Sequence, residues 1–152
     1  MFQSFFPQPK LFFSSLAIWS GLLILIWYTF GETIGEALGF DLTEAETVIG
    51  LGHFITSEFL WFDTFFAFGA LGFFFVWRSR SPHEWQIWSV LGSALLIYLS
   101  YASVQVSVVI NAWYGPFYND IQTALTGDGG VTAGDLYRHF LVFCTIAFPY
   151  IL

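Results

Sequence analysis

Charge is what this sequence has least of. Only 10% of its 152 residues are charged, and Lys plus Arg number four. A soluble domain carries about 25% charged residues and clothes its surface with them. This chain cannot do so, and its solvent is therefore largely lipid. Four basic residues make no patch for a polyanion, which excludes nucleic acid as a partner. The single cysteine, Cys144, forms no internal disulfide and carries no information on redox compartment. The three histidines, His53, His83 and His139, fall in three separate segments, and no pair has ligand spacing on one helix. Neither metal nor haem is expected, nor any other cofactor. No serine has a credible His and acid partner, no glycine-rich phosphate loop occurs, and Cys144 has no activating base nearby in sequence. The sequence supplies no catalytic residue, and an enzyme is not expected.

Apolar residues fill the space that charge leaves. They make up 57% of the chain, with twenty Phe and seven Trp, and the mean hydropathy is +0.69. Residues 11–30 hold no charge; at 1.5 Å per residue they cover roughly 30 Å, the thickness of the hydrocarbon core. A signal peptide would have a shorter apolar region and a small-residue cleavage site, so this segment reads as a retained helix. Residues 59–77 form a second span with one acid, Asp63, and residues 86–110 a third without charge. Residues 139–152 begin a fourth and cover about two-thirds of a crossing. The expected fold is an all-α, polytopic helical membrane protein, incomplete in its fourth span. The predicted outer loops are 31–58 and 111–138.

The few charges orient it. Lys10 precedes the first span, and Arg78 and Arg80 lie between the second and third. The 31–58 loop has no Lys or Arg but carries Glu32, Glu36, Asp41, Glu44, Glu46 and Glu58. The positive-inside rule puts the N-terminus in the cytoplasm and the acidic loop outside, with Arg138 the one discordant charge. Ser81-Pro82-His83-Glu84 reads as a capping box that starts the third helix. Gly127–Gly130 reads as a turn, and Thr132 with Asp135 as a further helix start.

Polar residues inside apolar spans are the candidates for function. At 100° per residue, Gln86, Ser89, Ser93, Ser100, Ser103, Ser107 and Asn111 share about one-third of the third helix's circumference. Two uses fit such a stripe: close packing of helices through small residues, or the lining of a wet path for a polar solute. Asp63 reads either as an acid near the outer interface or as a proton site; a carboxylate at mid-membrane costs about 2.5–3.5 kcal/mol on insertion scales. From Asn111 onward, Phe117, Ile121 and Leu125 recur every fourth residue, and Trp113 and Tyr114 suit an interface. Helix three is expected to continue past the membrane, bent near Gly115-Pro116, or else this stretch lies on the bilayer.

Three stretches resemble a known family. Met1-Phe2-Gln3-Ser4-Phe5-Phe6-Pro7, Ser81-Pro82-His83-Glu84-Trp85-Gln86-Ile87-Trp88-Ser89 and the run from Asn111 to Leu125 are similar to the SbmA/BacA peptide transporters. The resemblance runs from residue 1 to about 143 and is weakest over 31–57. It implies a homodimeric bacterial inner-membrane protein with an exporter-like helical fold and no nucleotide-binding domain. It further implies proton-driven import of peptides, among them microcins, proline-rich antimicrobial peptides and bleomycin-type compounds. Some members also affect envelope lipids and tolerance of host peptides. The acidic residues tied to proton coupling in the family fall beyond Leu152, and none is carried over. Pro82, Trp85, Asn111, Trp113, Phe117 and Tyr118 match as fold-defining positions. Ser89, Ser93, Ser100, Ser103, Ser107, Asn111 and Asp63 are the candidate transport path. The Asn-x-Trp run also resembles the membrane domains of some ATP-driven exporters, which makes an acyl or peptide exporter the nearest rival. A short membrane remnant that only binds other helices is the third reading. Three and a half helices cannot supply both gates of an alternating-access path, so the chain alone is not expected to transport.

Overall fold

The computed structural model describes residues 8–43, 48–127 and 130–148, and all regular structure in them is helical. Helix α1 is Pro9–Ala37, α2 is Ser57–Arg80, α3 is Ser93–Thr126 and α4 is Ala133–Ala147. A 3₁₀ turn, Leu51–Ile55, precedes α2, and a π-helical segment, Ile87–Gly92, leads into α3. Three stretches are long and apolar enough to cross a membrane: Pro9–Ala37, Ser57–Arg80 and Ile87–Thr126. The motif at residues 1–7, Glu44 and Glu46, the centre of the Gly127–Gly130 turn and residues 149–152 of the fourth span lie outside the described residues.

The chain divides into two compact units, Met1–Thr43 with Ser57–Tyr98, and Glu44–Thr56 with Leu99–Leu152. In the first, α1 and α2 run antiparallel and meet through aromatic rings. Phe12 packs on Phe73 and Trp77, with centroids 5.5 and 5.2 Å away. Farther along, Trp27 meets Phe65 at 5.1 Å and stacks on Trp61 at 6.0 Å. Such pairs add about 0.5–1.5 kcal/mol each beyond the area they bury. Val90 completes the core of Phe12, Phe73, Phe74 and Trp77. Small residues bring the helices close: a Cβ on Gly69 would lie 2.7 Å from Leu23, and one on Gly35 3.0 Å from Trp61 Nε1. In the second unit Val106, Val109 and Trp113 of α3 bury against Ile146 of α4, with Phe54, Phe117 and Phe143 around them.

Two boundaries differ from the sequence reading. The apolar run ends at Phe30, but α1 continues to Ala37 through Glu32 and Glu36. Charge ends a hydrocarbon segment and leaves a helix free to continue. The helix stops at a Schellman turn: Gly39 takes a positive φ of 93°, Phe40 N–H donates to Gly35 O at 3.0 Å, and Gly39 N–H donates to Glu36 O at 3.0 Å. The second correction concerns Ser81. Its N–H donates to Trp77 O at 2.9 Å, so it finishes α2 and does not cap the next helix. The next helical segment has Gln86 at its N-cap with no side-chain cap, and the turn before it is held by His83, whose Nδ1 accepts from Trp85 N–H at 3.1 Å and whose carbonyl accepts from Gln86 N–H at 3.2 Å. The box at Thr132 does form: Asp135 Oδ2 accepts from Thr132 N–H at 2.9 Å and Oγ1 at 2.7 Å. Helix α3 runs unbroken through Pro116, which withholds the N–H that Ala112 O would otherwise accept.

Candidate solute path and polar sites

The serine stripe divides by environment. Ser93, Ser100, Ser103, Ser107 and Asn111 are exposed, Ser89 is half-buried and Gln86 is buried. Within the second unit the split is one of helix faces. Val106, Val109 and Trp113 turn inward, and Ser103, Ser107 and Asn111 occupy a different arc of the same cylinder. The hydroxyls return to their own backbone: Ser103 Oγ donates to Leu99 O at 2.9 Å, and Ser107 Oγ to Ser103 O at 3.1 Å. A helical serine makes this bond to the carbonyl one turn back. Upstream, the π segment interrupts the count. One extra residue per turn sets the helix face back by about one position, roughly 100°, so Gln86 and Ser89 do not continue the stripe on a uniform 100° register. Gln86 sits on the core side with Val90, and both polar atoms of its amide lack a partner among the described residues.

Asp63 is half-buried in α2. Its Oδ2 accepts from Tyr98 OH at 3.1 Å, and Oδ1 is buried with no partner among the described residues. Phe66 lies against the same tyrosine, centroids 6.0 Å apart. A carboxylate with one oxygen hydrogen-bonded and the other not is short of one donor.

Two polar contacts of the second unit were not visible in sequence. His139 Nε2 lies 2.8 Å from Asp120 Oδ2, and His53 Nε2 lies 3.0 Å from Gln105 Oε1. The partners are separated by 19 and 52 residues, and no periodicity of one helix could have joined them. Among the described residues no three His, Cys, Asp or Glu side chains gather as a metal site.

The family positions fall into two groups. Trp113 is buried, stacks on Phe117 at 4.5 Å, meets Phe143 at 4.9 Å and donates Nε1–H to His139 O at 3.0 Å. Phe117 is half-buried beside it. Pro82, Trp85, Asn111 and Tyr118 are exposed, and Tyr118 stacks on Tyr114 at 5.8 Å.

Three helices of this length and hydropathy define a multi-pass membrane protein. Residues 82–152, which are 71 of the 152, match the model of the SbmA/BacA-like family. This stretch is similar to that family. It begins at Pro82 and covers the run from Asn111 to Leu125, and the N-terminal motif at residues 1–7 lies outside it.

Proposed function

We propose that this chain supplies membrane helices to a proton-driven peptide importer of the bacterial inner membrane, one that works as a homodimer with its N-terminus in the cytoplasm. The observation that carries the reading is the family match together with the exposed polar arc of α3, which lies outside the second unit's core among the described residues. Ser100, Ser103, Ser107 and Asn111 offer hydroxyl and amide groups to a passing peptide backbone. Their helix is anchored from the other side by Trp113 and Ile146. Asp63, short of one donor, is the group of α2 suited to carry a proton. Lys10, Arg78 and Arg80 against the acidic 31–58 loop support the orientation.

The test is uptake. The complete reading frame that contains this chain is expressed in cells lacking their own peptide importer, and entry of a labelled proline-rich peptide is followed with and without a protonophore. Uptake that the protonophore abolishes is the expected result. Uptake that persists without a proton gradient and stops on ATP depletion would move the assignment to an ATP-driven exporter-type membrane domain.

A further inference from the structure

The first unit has a cleft where the N-terminal end of α1 meets the C-terminal end of α2, with a volume of about 130 Å³. Pockets that take whole small molecules hold about 300–1,000 Å³, so this one suits part of a molecule. Its floor is aromatic, made by Trp19, Phe73 and Trp77, and Leu11 and Val76 form an apolar edge that stays exposed. Its rim is polar, with Gln8, Arg80 and Ser81. The polar groups deeper inside are already engaged: Trp77 Nε1 donates to Ser15 Oγ at 3.0 Å, Ser15 Oγ donates to Phe12 O at 2.8 Å, and Trp19 Nε1 donates to Gly69 O at 3.0 Å. The cleft thus presents a cationic lip over a dry floor, beside an outward-facing apolar edge.

The surroundings match that shape in charge. Three of the four basic residues of the chain, Lys10, Arg78 and Arg80, lie at this end of the two helices. None of them pairs with a carboxylate among the described residues. An arginine at the end of a membrane span, with no internal counter-charge, faces the headgroup layer, and its planar fork matches a phosphate.

We propose that this cleft seats the headgroup of an anionic phospholipid, with Arg80 as its charge partner and the first acyl methylenes along Leu11 and Val76. The site is independent of what the protein transports. Arg78 belongs to the same cationic end but does not line the cleft, which separates a defined site from a diffuse basic belt.

The chain, purified in neutral detergent, is offered dioleoyl phosphatidylglycerol and dioleoyl phosphatidylcholine at equal concentration, and retained lipid is counted by native mass spectrometry. The expected result is at least a threefold preference for phosphatidylglycerol. Arg80→Gln brings the ratio near one, and Arg78→Gln leaves most of it. Equal retention of the two lipids by the unaltered chain would overturn the proposal, as would equal losses in the two variants. Displacement of phosphatidylglycerol by millimolar inorganic phosphate would show a simple anion site and also overturn it.

Discussion

Trp113 is held by stacking on Phe117, by contact with Phe143 and by a hydrogen bond to His139 O, and it is 4% exposed. Removing it takes away all three supports and leaves a cavity. Trp113→Ala is expected to destabilise the chain by about 3 kcal/mol or more, read as a fall in melting temperature in detergent. Trp88, 71% exposed, is the control, and its alanine variant should stay within about 0.5 kcal/mol of the parent. Asp135 offers a finer residue-scale test. Its hydrogen bonds from the Thr132 side chain and backbone hold its carboxyl below the usual carboxylate range, with Arg138 and His139 adding to the effect. A carboxylate lowered on folding stabilises the fold above its ordinary pKa, and that contribution is lost as pH falls through the lowered value. NMR titration of the Asp135 carboxyl should therefore give a midpoint below 3.8, and Thr132→Ala should move it back up.

Between elements, the glycines of α1 make opposite predictions. Gly21 has nothing within 4 Å of an added Cβ, whereas Gly35 has the Trp61 ring at 3.0 and 3.1 Å and Leu42 at 2.6 Å. Gly21→Ala should raise stability by roughly 0.5–1 kcal/mol through helix propensity alone. Gly35→Ala gains the same propensity but overpacks a buried ring at about 1–3 kcal/mol, for a net loss of about 1. A lowered melting temperature for Gly21→Ala would mean that another helix sits there. Element identity was legible in sequence because apolar runs of hydrocarbon length leave one reading in lipid. Boundaries were less so: Glu32 and Glu36 marked the end of the lipid segment, and only the φ of Gly39 marks the end of the helix. The Thr132–Asp135 box was readable, being local and complete. The same pattern at Ser81 misled, because Ser81 N–H was already committed to Trp77 O. The polar arc of α3 was readable from Ser100 to Asn111, but the π segment, which has no sequence mark, broke the count at Gln86. The His139–Asp120 and Asp63–Tyr98 contacts join residues of different helices and could not be read from any one helix's periodicity.

For the molecule as a whole, the arrangement predicts sidedness and a separation of stability from transport. With Cys144 replaced by serine, Leu38→Cys should react with an impermeant maleimide on intact spheroplasts and Ser79→Cys should not. The reverse pattern would invert the orientation. Replacing both Ser103 and Ser107 by leucine should leave the melting temperature nearly unchanged, because both side chains are exposed and outside the core of Val106, Val109 and Trp113. The same double variant should lose most peptide uptake if the polar arc lines the path. Unchanged uptake would assign the arc to helix packing instead.

The bonds from Ser103 to Leu99 O and from Ser107 to Ser103 O bear on how such a helix enters a membrane at all. A hydroxyl delivered bare into acyl chains is a penalty at the moment of insertion, before any neighbour has arrived. Serines that borrow a carbonyl from their own turn remove that penalty, so α3 can leave the insertion machinery alone and find its companions later. When a companion or a passing solute does arrive, each hydroxyl can exchange one acceptor for another with little change in energy.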